Sequence, residues 1–357
     1  MNYYSFLDGL RAISILLVIG HHLNVSFNMK IILGSLYAWA SVPMRLGFLG
    51  VDIFFVISGF LITGLLVQED SKPNIPRFYI RRFFKIIPSY LAVILLTYLV
   101  FAFMGEADTS KYSMMNYLLM IQNYTHIYAP LGHLWSIAVE EHFYIIYPIF
   151  IYLIYSISDN NPTIFRRNLI KAILILIFLV IFIRFFSFLF DPLQAPWPWQ
   201  KTHVRFDALL AGGVLKCLEP DLPKDKYRRT VYSWVVLIPA GIFLISLLSM
   251  SSSSMQYLDY CKAYLLAALI ITSCLLQQNF LNKLLSFKFL RWIGRNSYGI
   301  YLWHYPILLF FRKIPNMALD RWETVVLYLI LAIAAGVLST ATLEKYFLNL
   351  RERFDYV

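Results

Sequence analysis

The chain has 357 residues, of which 59% are hydrophobic, 17% aromatic and only 14% charged. Soluble domains average about 25% charged residues, and a water-soluble globule of this size cannot cover so much apolar surface. The net charge of +11 does not indicate a nucleic-acid partner, because the basic residues are scattered between long apolar segments.

Long, continuous apolar runs predict an all-α fold, namely a polytopic integral membrane protein with about ten transmembrane helices. The strands of a membrane barrel would alternate in hydrophobicity instead. In chain order the predicted spans are 10–27, 46–67, 86–104, 136–156, 169–190, 203–218, 231–250, 257–277, 292–311 and 323–343. The sixth span is short and polar, so we expect other helices to surround it.

The connections between these spans predict the topology. Most of the 31 Lys and Arg fall on one side of the membrane, so both termini are predicted to be cytoplasmic. The stretch 114–122 is apolar but too short to cross, which favours a re-entrant or interfacial piece. We expect one transmembrane domain over residues 1–357, with no appended soluble domain. The three cysteines show no ligand spacing, and no metal site is expected.

Basic residues form a predicted cytoplasmic layer. Arg11 lies at the start of the first helix, and Arg81, Arg82 and Lys85 precede the third. Guanidinium and ammonium groups suit a phosphate-bearing ligand. The alternative is that these residues anchor the helices to anionic lipid head groups.

A second layer of ionisable residues is predicted near the external ends of the helices. Charged groups inside a membrane are costly, so each indicates a functional site by default. The residues are His22, Asp52, Glu140, Glu141, Arg205, Asp207 and His304. A structural ion-pair network is the alternative. Helix N-terminus preferences would also explain Glu140, Glu141 and Asp52, and an interfacial aromatic belt would explain His304.

The first helix connects the two layers. Arg11 and His22 are eleven residues apart, which returns them to nearly one face at a separation of roughly 16 Å along the axis. Neighbouring residues of a helix point about 100° apart, so His21 cannot lie on the face that Arg11 and His22 share.

The two layers of ionisable residues are suited to general-base catalysis. A neutral imidazole accepts a proton near pH 7, so His22 is the predicted general base. Glu140, Glu141 or Asp52 would orient its ring, as in a catalytic triad. Coenzyme A thioesters, with an anionic head and a long arm, have the shape to reach from the basic cluster to His22. The chain has no G-x-S-x-G or H-E-x-x-H motif, which favours direct transfer over a serine or zinc mechanism. A histidine acyl relay stays open.

Six blocks of this sequence resemble acyltransferase family 3, a family of membrane O-acyltransferases. They are FLDGLRAISILLVIGHH at 6–22, GFLGVDIFFVISGFLI at 47–62, RFYIRRFFKIIP at 77–88, HLWSIAVEEHFYIIYP at 133–148, RFDALLAG at 205–212 and GRNSYGIYLWHYPI at 294–307. They stand in family order over nearly the whole chain.

The resemblance implies transfer of an acyl group, usually acetyl, from acetyl-CoA or another acyl-CoA to a glycan hydroxyl. Arg11 and His22 match the family's first-helix Arg and His. Arg82 and Lys85 match its Arg-x-x-Arg, with Lys replacing the second Arg. Trp135 opens the Trp-Ser…Glu-Glu block.

We therefore predict an O-acetyltransferase of the bacterial cytoplasmic membrane with no bound cofactor. Its catalytic residues would be His22, Glu140, Glu141 and Asp52. The residues that bind acyl-CoA would be Arg11, Arg81, Arg82 and Lys85. The residues that bind the acceptor or support the site would be Trp135, Arg205, Asp207 and His304. Tyr298 and Tyr301 are assigned to packing. The expected partners are acyl-CoA, membrane lipids and a polysaccharide, lipopolysaccharide or lipid-linked saccharide. The rival interpretations are a glycan transporter or flippase, and a membrane scaffold.

Overall fold

The computed structural model describes residues 3–67, 73–105, 111–125, 129–159, 161–190, 198–249, 257–276 and 280–354. Within these ranges the chain is helical and contains no strand, which confirms the all-α prediction. The α-helices are α1 (Ser5–Ser26), α2 (Met29–Leu33), α3 (Tyr37–Met44), α4 (Gly47–Leu66), α5 (Ile75–Phe103), α6 (Lys111–Leu118), α7 (Trp135–Ser156), α8 (Pro162–Phe190), α9 (Phe206–Leu218), α10 (Lys226–Val235), α11 (Leu237–Leu248), α12 (Tyr257–Leu276), α13 (Phe280–Leu285), α14 (Lys288–Arg295), α15 (Ser297–Lys313), α16 (Trp322–Ser339) and α17 (Lys345–Arg351).

Eight helical segments of the described ranges are long and apolar enough to cross a membrane, judged by length and composition. They are Ser5–Ser26, Met29–Leu66, Ile75–Phe103, Ala129–Ser156, Pro162–Phe190, Lys226–Leu248, Leu258–Leu276 and Trp322–Arg351. The other two predicted spans fall on α9 and α15, which have 13 and 17 residues. A helix as short as α9 reaches about 20 Å, less than the ~30 Å hydrocarbon core. The count of ten spans and the cytoplasmic termini stay predictions. The re-entrant or interfacial placement of 114–122, which overlaps α6, also stays a prediction.

Polar side chains cap the first turns of two helices. The Asp225 carboxylate accepts a hydrogen bond from the backbone N–H of Arg228 at 2.8 Å, which starts α10. The Asn161 side-chain oxygen accepts from the N–H groups of Thr163 and Ile164 at 3.0 and 3.1 Å and starts α8. Each cap satisfies donors that have no partner inside the helix.

The chain forms two compact units, to each of which α1 and α7 contribute. The first unit comprises the described residues within Met1–Ser14, Phe48–Ile75 and Val139–Gly294. In it, α4 and α9 touch backbone to backbone. A Cβ on Gly59 would lie 1.8 Å from the Leu209 carbonyl oxygen, and one on Gly212 would lie 2.1 Å from that of Val56. Glycine at both positions therefore holds α4 beside α9.

The second unit comprises the described residues within Ile15–Gly47, Pro76–Ala138 and Arg295–Val357. In it, α15 packs on α16 through glycines, since a Cβ on Gly299 would lie 2.3 Å from the Gly336 carbonyl oxygen. The Tyr298 hydroxyl donates to the Ile86 carbonyl oxygen on α5 at 2.9 Å. These contacts position α15, the helix that carries His304.

Candidate active site

Two predicted site residues meet in the second unit. His22 lies near the end of α1, and His304 lies on α15. Nδ1 of His22 and Nε2 of His304 are 2.9 Å apart, a hydrogen-bond distance. His304 is fully buried, whereas His22 is half-buried. The predicted base thus contacts a residue that the sequence assigned only to a supporting role.

The second ring nitrogen of His304 is bound to the backbone. Its Nδ1 lies 2.7 Å from the carbonyl oxygen of Tyr301, one turn earlier on α15. A carbonyl oxygen can only accept, so Nδ1 of His304 is the donor. Both nitrogens of this buried ring therefore have partners.

A third histidine joins His22 and His304, and we call these three residues the histidine cluster. His133 lies in the 3₁₀ turn Ala129–Leu134 before α7, and its Nε2 donates to the Leu302 carbonyl oxygen at 3.1 Å. Its ring is nearly perpendicular to that of His304, with centroids 5.1 Å apart. Among the described residues, no group of three or more His, Cys, Asp and Glu could hold a metal ion.

Two tyrosines of α15 surround the histidine cluster. The Tyr301 hydroxyl donates to the His133 carbonyl oxygen at 2.6 Å and accepts from the Ser136 hydroxyl at 2.6 Å. Tyr301 therefore does more than pack, because it ties the start of α7 to α15. The Tyr305 ring lies 4.6 Å from that of His22, centroid to centroid.

His21 has different surroundings. A Cβ on Gly47 would lie 2.3 Å from the His21 Cβ, so His21 packs against the first residue of α4. Its ring centroid is 5.5 Å from that of His22. Of the two adjacent histidines, His22 is the one that hydrogen-bonds to His304.

Three other predicted site residues form buried ion pairs in the first unit. Asp52 on α4 binds Arg205 at 2.6 Å, and Asp207 on α9 binds Arg184 of α8 at 2.5 Å. All four side chains are at most 1% exposed. The Tyr260 ring covers the Arg205 guanidinium at 4.2 Å, a cation–π contact. This arrangement matches the ion-pair network that the sequence left open as an alternative.

Two more predicted residues lie on the part of α7 that belongs to the first unit. Glu140 accepts a hydrogen bond from the Tyr144 hydroxyl at 2.8 Å, and the Ser58 hydroxyl donates to Tyr144 at 2.5 Å. Glu141 is buried. Trp135 begins α7 within the second unit and is half-buried. The role of either glutamate as a partner of His22 stays a prediction.

The residues that are predicted to bind the phosphates of acyl-CoA lie on two long helices. Arg81, Arg82 and Lys85 are half-buried on α5, and Arg11 is half-buried on α1. Lys85 forms an ion pair with Glu344, which is 5% exposed and closes the π-helical segment Thr340–Glu344. The positive charge of Lys85 is thus already matched. The Arg82 guanidinium lies over the ring of its helix neighbour Phe78 at 5.8 Å.

Comparison with known proteins identifies the family. A family profile described as an acyltransferase domain matches residues 4–343. The chain therefore belongs to this acyltransferase family, which confirms the resemblance. No solved structure shows a significant match.

Curated relatives carry more specific names. The peptidoglycan O-acetyltransferase OatA of Listeria monocytogenes is 28% identical over 98% of this chain and 57% of its own length. The putative peptidoglycan O-acetyltransferase YrhL of Bacillus subtilis is 30% identical over 96% of this chain and 55% of its own. The O-acetyltransferase OatA of Staphylococcus aureus is 32% identical over 87% and 51%. The chain spans about half the length of these relatives.

Proposed function

We propose that the chain is an O-acetyltransferase of the bacterial cytoplasmic membrane that moves an acetyl group from acetyl-CoA to a glycan hydroxyl. The observation that carries the proposal is the hydrogen bond between His22 and His304, which holds an imidazole ready to act as a base. The acyltransferase family and the names of its relatives support the reaction class. They do not favour a transporter or flippase, and no relative reported above is named as one.

The proposed reaction is a direct acyl transfer. His22 takes the proton of the acceptor hydroxyl while the hydroxyl oxygen forms a bond to the thioester carbonyl carbon. The tetrahedral intermediate then collapses and the C–S bond breaks. The leaving sulfur takes the proton back from His22, which yields the acetyl ester, the free thiol of coenzyme A and a neutral base. General-base assistance of this kind contributes about 10²–10⁴ to the rate.

The donor is proposed to bind through its phosphates. Arg11, Arg81 and Arg82 supply guanidinium groups, which match phosphate oxygens in a forked geometry. Lys85 contributes less to this role because Glu344 already neutralises it. The half-buried state of the arginines leaves part of each side chain accessible to a ligand.

The remaining predicted residues are proposed to support the reaction. Glu140 and Glu141 would orient the acceptor or the base, and Trp135 would line the acceptor site. Asp52, Arg205 and Asp207 take part in buried ion pairs, so their proposed contribution is to hold α4, α8 and α9 together in the first unit.

The acceptor is proposed to be peptidoglycan or its lipid-linked precursor rather than lipopolysaccharide. Two of the relatives described above are named for peptidoglycan, and none is named for lipopolysaccharide. The regions matched by these relatives cover nearly this whole chain, which supports peptidoglycan as the proposed acceptor class.

The test uses the full chain in lipid nanodiscs with acetyl-labelled acetyl-CoA. Lipid-linked peptidoglycan precursor and lipopolysaccharide are offered in separate reactions. We expect alkali-labile label on the precursor only, and free coenzyme A released in equal amount. Label on neither acceptor would contradict the proposal, and so would movement of unmodified precursor across the bilayer when the same protein is reconstituted in sealed vesicles.

A further inference from the structure

The hydrogen bonds of His304 determine which nitrogen of each ring carries a proton. Nδ1 of His304 donates to the Tyr301 carbonyl oxygen at 2.7 Å, so it bears the proton of a neutral ring. Nε2 of the same ring then has only a lone pair and must accept. The atom 2.9 Å away, Nδ1 of His22, must therefore be its donor.

From this chain of hydrogen bonds we infer that His304 is a positioning residue, which holds His22 in the tautomer protonated at Nδ1 and leaves Nε2 as the basic nitrogen. The inference rests on the proposed function, because His22 needs a base role only if it deprotonates an acceptor. A backbone carbonyl of α15 thereby selects the reactive atom on α1.

The hydrogen bond between His22 and His304 is kept throughout the proposed reaction. When Nε2 of His22 takes the hydroxyl proton, its Nδ1–H becomes a charged donor to the neutral Nε2 of His304, which strengthens the bond. When Nε2 returns that proton to the leaving sulfur, the original tautomer is restored. His304 needs to exchange no proton, so the positioning works in every turnover.

An imidazole suits this position better than a carboxylate would. His304 is fully buried, and an ionised carboxylate there would pay a large desolvation cost whenever His22 is neutral. The rings of His133 and Tyr301 have their centroids 5.1 and 5.5 Å from that of His304, which restricts its rotation. A rotated His304 would also lose its bond to the Tyr301 carbonyl oxygen.

The first test observes the tautomers in the wild-type protein. Ring-¹⁵N histidine is incorporated into the full chain in lipid bilayers, and nitrogen resonances are recorded by solid-state NMR. The chain has 7 histidines, and loss of signals in His22→Asn and His304→Asn assigns the two of interest. We expect both rings to be neutral and protonated at Nδ1. A His22 ring protonated at Nε2 would overturn the inference.

The second test compares two amides that differ by one methylene group. In His304→Gln the amide reaches the place of Nε2 and can accept from His22. In His304→Asn the amide reaches only the place of Nδ1 and can bond to the Tyr301 carbonyl oxygen. We expect the Gln variant to keep kcat within about tenfold of wild type. We expect the Asn variant to lose about 10²-fold or more in kcat with little change in KM for acetyl-CoA.

Two further outcomes separate the possibilities. Equal kcat values for the Gln and Asn variants, at equal thermal stability, would assign His304 to packing alone and overturn the inference. An inactive wild-type protein would refute the proposed function instead, and the tautomer measurement would still decide the inference. His203→Gln serves as the matched control, because His203 is exposed and belongs to the first unit.

Discussion

His22 and His304 are 282 positions apart in the chain, yet Nδ1 of the first lies 2.9 Å from Nε2 of the second. His22 lies near the end of α1, and His304 is buried in α15. The contact depends on how α15 is packed and anchored, so substitutions far from the imidazoles should affect it.

Gly299→Ala should lower both stability and activity. Its Cβ would lie 2.3 Å from the Gly336 carbonyl oxygen, which forces α15 away from α16 and displaces His304. Overpacking of this kind costs about 1–3 kcal/mol. Thermal unfolding in detergent and acetyl transfer in nanodiscs measure the two effects.

Gly241→Ala is the matched control for that change. Gly241 lies inside α11, and a Cβ there meets nothing within 4 Å. Alanine is favoured over glycine in a helix by roughly 0.5–1 kcal/mol, so this variant should be as stable as wild type or more so. A Gly299→Ala protein that behaved like Gly241→Ala would show that α15 does not need this close contact.

Arg205→Met should destabilise the first unit strongly. It leaves the Asp52 carboxylate, which is 0% exposed, without its guanidinium partner. Breaking a buried pair in this way costs about 3–5 kcal/mol. The comparison is Arg166→Met, which breaks the exposed pair with Asp221 and should cost at most about 1 kcal/mol. Equal unfolding temperatures for the two variants would contradict a structural role for the buried pairs.

Arg82→Gln should weaken acetyl-CoA binding. Loss of a charge-assisted bond to phosphate costs about 1.5–3 kcal/mol, so KM for acetyl-CoA should rise about tenfold or more while kcat changes less. Initial rates over a range of acetyl-CoA concentrations measure both constants. An unchanged KM would remove Arg82 from the donor site.

Lys85→Met should act on stability rather than on KM. It leaves Glu344 buried without its cation. Because the Lys85 side chain is 38% exposed, water screens the pair and the loss should be on the order of 1 kcal/mol. Lys85→Arg should restore the pair and the unfolding temperature. A tenfold rise in KM with unchanged stability would instead return Lys85 to the donor site.

Much of the fold was predictable because hydropathy identifies apolar segments directly. The boundaries were less accurate, since a helix continues beyond the apolar part of its sequence. The span predicted at 169–190 belongs to α8, which already begins at Pro162 and includes the charged pair Arg166 and Arg167. Hydropathy excludes such residues from a span, although they remain helical.

The site was predictable only in part. Spacing on one helix selected His22 over His21, because a helical period can be counted from sequence alone. The contact with His304 could not be counted, since it depends on how distant segments pack. His133 was missed although it opens the HLWS block, because it lies in a short turn with no periodicity. Arg184 had a usable signal, because a lone arginine inside an apolar helix demands a buried partner, here Asp207.

The role of His22 as the base is tested by a comparison of His22→Gln with His21→Gln. Acetyl transfer to lipid-linked peptidoglycan precursor is followed in nanodiscs, and acetyl-CoA binding is measured by calorimetry on the same samples. We expect His22→Gln to bind acetyl-CoA normally but to transfer acetyl about 10²–10⁴ times more slowly, whereas His21→Gln should stay close to wild type. A His22→Gln protein that transfers acetyl at the wild-type rate would show that His22 is not the base.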